Sequence, residues 1–153
     1  MIIAIGSDHA AYDLRMTLID HIQSKGIKVD DAGTHSQEST HYPIYGQIVA
    51  KKVVSGEADF GILICGTGVG IGISANKVPG VRCAIVSDTY SARMARAHNN
   101  ANILAMGARV VGPGLACDLV DTWLAQPFEG GRHQTRVDLI SQVEAGEDIS
   151  GLK

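Results

Sequence analysis

Asp59-Phe60-Gly61-Ile62-Leu63-Ile64-Cys65-Gly66-Thr67-Gly68-Val69-Gly70-Ile71-Gly72-Ile73-Ser74-Ala75-Asn76 runs an apolar strand straight into a glycine-packed loop, with a cysteine at the join. An apolar run of this length between turn signals is the pattern of a central parallel strand, covered on both faces. The glycines behind it let backbone N–H groups approach a ligand without side chains in the way. Cys65 closes the strand, and a helix is expected to open near residue 69, where the helix dipole favours a thiol's anion. Strand, thiol, anion nest and helix start together describe a reaction site.

Outward from this stretch, apolar and amphipathic segments alternate at the pace of βα units. The pattern predicts strands at 2–6, 27–31, 60–65, 82–86 and 102–106, and helices near 10–24, 43–55, 69–77, 89–99, 113–125 and 130–145. Leu14, Leu18 and Ile22 share one face of the first helix, and Lys25-Gly26 ends it. The expected fold is α/β: a Rossmann-like three-layer α/β/α domain over 1–153, with a five-stranded, mainly parallel sheet and a polar tail from 144 to 153 that frays. Ligands bind such sheets beyond the carboxyl ends of the strands. That rule singles out Ser7-Asp8-His9, Cys65-Gly66-Thr67 and Ser87-Asp88.

Composition narrows the partners. Net charge of -3 and a pI near 6.0 argue against nucleic acid or an anionic membrane. Any anionic ligand must then be held by local positive charge. Cys65, Cys83 and Cys117 form no CxxC pair, so neither a disulfide framework nor a zinc ribbon is expected; reduced thiols in a cytoplasmic protein are the simpler reading. Met1 to Gly6 is too short an apolar run for a signal peptide or a membrane span and reads as the first strand.

The glycine loop invites a dinucleotide reading, yet its spacing is GxGxGxG and Ile71 occupies the third-glycine place of GxGxxG. Asp88 reads better as the N-cap of the following helix than as a ribose-binding acid. The loop is not a Cys-x5-Arg phosphatase loop either, so Cys65 is a base or a nucleophile of another kind, with an inert core thiol as the alternative. Arg132 and Arg136, behind Gly130-Gly131, share a helix face and suit a phosphate clamp, and a solvated charged face is equally consistent with the pair alone. Arg109 follows the fifth strand and adds a third contact. His98 sits at a helix C-terminus, a capping position as well as a catalytic one, and Asp8-His9 reads equally as an N-cap with a surface histidine. No HxH, HExxH or His/Asp cluster has metal-ligand spacing, so no metal is expected.

Taken together, Gly6-Ser7-Asp8-His9, Tyr42-Pro43, Ile64-Cys65-Gly66-Thr67-Gly68-Val69-Gly70-Ile71, Ala75-Asn76-Lys77, His98-Asn99 and Glu129-Gly130-Gly131-Arg132-His133 resemble the type B ribose-5-phosphate isomerases, within the wider ribose/galactose-6-phosphate isomerase family. The match covers nearly the whole chain. It implies an aldose–ketose isomerase of phosphorylated sugars with no cofactor. Carried over residue by residue, it makes Cys65 the base that moves a proton between C1 and C2. Gly66, Thr67, Gly68, Val69 and Gly70 cradle the enediolate oxygens, and His98 assists ring opening. Asp8, His9 and Tyr42 bind or open the sugar, while Arg132 and Arg136, with Arg109 and Asn99, hold the phosphate and polar sugar groups. It further implies a homodimer, or a dimer of dimers, in which His98, Asn99 and Arg109 reach the partner subunit's Cys65.

The chemistry agrees with the resemblance. Abstracting a proton beside a carbonyl needs a base near neutral pKa and donors for a developing oxyanion. A free thiol titrates near ~8.5, so glycine N–H groups beside it have a clear task. One position departs from the pattern: His41 stands where many type B enzymes carry Asp, and Thr40-His41-Tyr42-Pro43 is similar to the galactose-6-phosphate isomerase subunits. Those subunits do not keep Cys65, His98 and Gly130-Gly131-Arg132-His133 in one chain. The full set here implies a self-sufficient enzyme, while His41 leaves a hexose phosphate (allose- or galactose-6-phosphate) as the alternative substrate, and a non-catalytic nucleotide-binding module is the reading from another class.

Overall fold

The computed structural model describes residues 1–152. Five strands, β1 (Ile2–Ser7), β2 (Lys28–Asp31), β3 (Phe60–Cys65), β4 (Cys83–Ile85) and β5 (Ile103–Gly107), alternate with helices α1 (Tyr12–Ser24), α2 (Tyr42–Val54), α3 (Val69–Ala75), α4 (Thr89–Ala97), α5 (Pro113–Ala125) and α6 (Arg132–Glu144). The sheet order is β2-β1-β3-β5-β4 and every pairing is parallel. The expected α/β three-layer fold is the observed one, with β3 at the sheet's centre. Among the described residues no helix is long and apolar enough to cross a membrane.

The pleat sorts the core into two layers. Ile62 and Ile64 of β3 pack with Leu14, Leu18 and Ile22 of α1 and with Leu119 and Trp123 of α5. Leu63 and Cys65 point the other way, toward Val49 and Ala50 of α2 and Ile71 and Ala75 of α3. Trp123 meets Phe60 edge-on at 5.3 Å between ring centroids, filling the floor of the first layer. Buried Arg15 of α1, 1% exposed, donates to Thr34 O at 2.6 Å and pairs with Asp31 at 3.3 Å, which fixes the loop after β2 against α1.

Differences from the expected boundaries have local causes. The first turn after β1 is a 3-10 turn, His9–Ala11, capped by Asp8, and α1 proper begins at Tyr12. Helix α4 stops at Ala97 because Asn100 takes the left-handed conformation (φ 46°), which turns the chain toward β5. Helix α6 starts only at Arg132, since Gly130 (φ 63°) and Gly131 (φ 54°) lie outside helical geometry. Glu144, where the tail was expected to begin fraying, accepts the Gly80 N–H through both carboxylate oxygens at 3.1 and 3.0 Å.

Candidate active site

Cys65 ends β3 and its Sγ accepts an N–H from Gly68 at 3.1 Å. The Val69 N–H turns instead to Thr67 Oγ1 at 3.2 Å. A single peptide donor thus meets the sulfur, where the sequence reading expected N–H groups of residues 66–70 to act as one nest. The thiol is 4% exposed, so it is enclosed but not left without a polar partner.

Two close backbone approaches hold this loop. Gly68 sits at φ 80°, and a Cβ there would lie 2.7 Å from the Met106 carbonyl carbon. A Cβ on Gly107 would lie 2.6 Å from the Thr67 carbonyl carbon. Neither residue tolerates a side chain, and together they let the loop lie flat on the end of β5. Ala108 N then donates to Cys65 O at 2.9 Å and Arg109 N to Gly66 O at 3.0 Å. The Arg109 guanidinium covers Gly66, with Nη1 3.6 Å from where a Cβ would stand. Within the chain, Arg109 therefore lies over the thiol loop.

The other residues expected at this end are gathered there. Asp8 is 7% exposed and its Oδ1 accepts from Ala10 N at 3.0 Å, so the carboxylate caps the turn that leaves β1. His9 Nδ1 accepts from Thr40 N at 3.2 Å, which leaves Nε2 as the N–H side of the neutral ring. Tyr42 lies at the start of α2 with its ring over Gly70, a ring carbon 2.7 Å from the Cβ position.

His98, Asn99, Arg132 and Arg136 stand elsewhere. Helix α4 leaves the carboxyl end of β4 and runs back to the start of β5, where Asn102 N donates to Arg82 O. His98 and the thiol therefore occupy opposite ends of the sheet, separated by at least roughly 13 Å of strand. At this second end the His98 and His133 rings stack at 4.1 Å between centroids and 4° between planes. Glu129 Oε2 approaches both, 3.8 Å from His98 Nε2 and 3.5 Å from His133 Nε2. His133 Nε2 accepts from Arg132 Nε at 3.5 Å. Burial pushes His133 below the ordinary histidine value, His98, Arg132 and Arg136 add to that, and Glu129 opposes it. Arg132 and Arg136 are exposed on one face of α6.

Sequence reasoning missed the supports of this second end. Arg82 Nε donates to Asn99 O (3.2 Å) and Asn100 O (3.0 Å), and Arg96 Nη1 donates to Asn100 Oδ1 (2.9 Å) and Ala101 O (2.8 Å). These half-buried arginines clamp the turn that presents His98 and Asn99. Glu129 and His133 were visible as motif members, but nothing in the chain marks their pairing with a histidine from another helix.

The family description Ribose/Galactose Isomerase matches residues 3–140. The chain is similar to ribose-5-phosphate isomerase B of Escherichia coli K12, with 51% identity over 93% of this chain and 95% of the relative. It is also similar to the solved ribose-5-phosphate isomerase B of Clostridium thermocellum, with TM-score 0.94 and 55% identity over 95% of this chain and 99% of that one. A third likeness is ribose-5-phosphate isomerase B from Mycoplasma genitalium with bound ribulose-5-phosphate, at TM-score 0.89 and 41% identity over 94% and 96% of the two chains. With a parallel sheet, a glycine-held thiol at its carboxyl edge and this extent of likeness, the chain belongs to the ribose/galactose isomerase family and is an aldose–ketose isomerase.

Proposed function

We propose that the chain interconverts ribose 5-phosphate and ribulose 5-phosphate through an enediol(ate), in a homodimer or dimer of dimers whose sites are each completed by two subunits. The observation that carries the reading is the Cys65 sulfur at the end of β3 with the Gly68 N–H on it. As the thiolate, Sγ takes the proton from C2 of the open-chain aldose. The C–H electron pair becomes the C1=C2 bond and the carbonyl pair moves to O1. The proton on O2 passes to O1 and the proton on Sγ returns to C1, so that C2=O2 forms and the ketose is released with the thiolate restored. Loop N–H groups and the Thr67 hydroxyl steady the charge on O1 and O2. His98 opens the ring, Asp8, His9 and Tyr42 grip the sugar, and Arg109, Asn99, Arg132 and Arg136 hold the phosphate and polar groups. Free Cys65, Cys83 and Cys117 support work in a reducing cytoplasm.

The separation of His98 from Cys65 supports a shared site, because one chain cannot bring both to one sugar. An apolar face is available for the second copy. Val69 and Ile73 of α3, Ile85 of β4 and Ile44 of α2 are each 40–51% exposed on the α2–α3 side, next to a depression of about 440 Å³ lined by Pro43, Ile44 and Val78 together with Gln47, Ser74 and Lys77. The test mixes two inactive variants, Cys65→Ala and His98→Asn, after dissociation. Random re-pairing leaves one intact site in each mixed dimer, so about a quarter of parental activity should return. A mixture that re-pairs and stays inactive refutes the shared site.

A hexose phosphate is the second reading, favoured by His41 beside Thr40, whose backbone N–H is bound to His9. Comparing kcat/KM on five- and six-carbon phosphates separates the two.

A further inference from the structure

We propose that His98, Glu129 and His133 form a binding site for a first-row divalent transition ion, zinc being the best match, and that occupancy withdraws His98 from isomerisation. The ligand-set half of this stands on geometry alone; the second half rests on the role of His98 given above. The potential ligand atoms of the three residues all lie within 4.8 Å of one another. The carboxylate-to-imidazole separations are 3.8 and 3.5 Å. A tetrahedral zinc with bonds near 2.0–2.1 Å needs ligand-to-ligand edges of about 3.4 Å, so the cluster contracts by only a few tenths of an ångström on these edges. Two imidazoles and one carboxylate are a donor set that zinc, cobalt and nickel accept, leaving a fourth position for water.

The scaffold is already built. Glu129 N is tied to Ala97 O at 3.0 Å and His133 N to Gly130 O at 3.0 Å, so the turn carrying two ligands is pinned to the helix end carrying the third. Two movements remain. An ion lies in the plane of each imidazole that binds it, and the rings are now parallel, so one must rotate. His98 is free to do so, being 37% exposed in its side chain. Arg132 must also swing its Nε away from His133 Nε2, and its positive charge together with that of Arg136 lowers the affinity. The sequence concealed this site because its ligands come from the residue that caps the end of α4 and from the Glu129–His133 stretch, a spacing that no local metal motif uses.

The test titrates Zn²⁺, followed by calorimetry, and Co²⁺, followed by visible absorption, into full-length protein carrying Cys65→Ser, Cys83→Ser and Cys117→Ser, which removes the competing thiols. One ion per chain is expected, with Glu129→Gln and His133→Gln in the same background each weakening the affinity at least ten-fold while far-UV circular dichroism stays unchanged. Affinity and stoichiometry that persist in both variants overturn the site. With the thiols intact, zinc should inhibit turnover over the concentration range in which it binds, and a chelator should restore it. Ion binding that depends on Glu129 and His133 but leaves turnover unaffected upholds the ligand set and refutes the role given to His98.

Discussion

The two ends of the sheet are built on different principles. At the carboxyl end, around Cys65, the work is done by backbone: peptide groups of β3, β5 and the 66–70 loop pack so closely that Gly68 and Gly107 have no room for a Cβ. At the other end, around His98, the work is done by side chains: a stacked imidazole pair, a shared carboxylate and two arginine clamps on the Asn99–Asn100 turn. Backbone placement cannot relax by rotamer change, which suits the base role proposed for Cys65, where the sulfur would have to meet a carbon within a narrow tolerance. Side-chain placement on helix ends adapts, which suits the ring opening and phosphate capture proposed for this end, on sugars that arrive in several forms.

Perturbing the ends one at a time tests this contrast. Cys65→Ala should lower turnover on the order of 10³-fold or more while leaving circular dichroism intact, as loss of a general base predicts. Near-normal turnover in the purified variant would place the base elsewhere. Gly68→Ala comes next. It forces a Cβ onto the Met106 backbone at a left-handed φ, so denaturant unfolding should register a loss of about 1–3 kcal/mol. Turnover should fall on the order of 10²-fold through the displaced N–H. A variant with full activity would show that this end is more yielding than its packing implies.

At the other end, Arg132→Ala and Arg136→Ala should act mainly on KM, raising it on the order of ten-fold or more, with a smaller change in kcat. An effect confined to kcat would contradict the adaptable clamp. The smallest effect belongs to Asp88, which caps the helix that delivers His98 by accepting the Ser91 N–H at 2.7 Å. That bond holds its carboxyl below the ordinary value of 3.8. Folding therefore favours the anion: the cap's contribution is complete above the unfolded value and disappears as pH falls through the folded one. Asp88→Ala should lower the melting temperature by a few degrees at neutral pH, and the gap from the parent should close below about pH 4.

The contrast also explains what was legible in the chain. Strands and helices were readable because apolar periodicity is a local property, and β3 with its glycine loop announced the thiol end within one continuous stretch. Asp88 was readable as a cap for the same reason. The position of Arg109 over the loop was not legible, because it depends on how closely β5 approaches the thiol loop, and that distance is set by Gly107 from outside the motif. The pairing of His98 with His133 depends on how the turn after α5 returns to the end of α4, through the Glu129 N–H bond to Ala97 O. Arg15 is buried in the space beside Gly33, and nothing local in the helix pattern marks it for burial.

The dependence of the thiol loop on β5 reaches into synthesis. Cys65, Gly66 and Thr67 acquire their lids only when Gly107, Ala108 and Arg109 dock onto them. While a nascent chain still lacks that segment, its sulfur is open to oxidants and to wrong partners. That sulfur is thus most exposed before the fold is complete, and the translating ribosome is where a cell would first have to protect it.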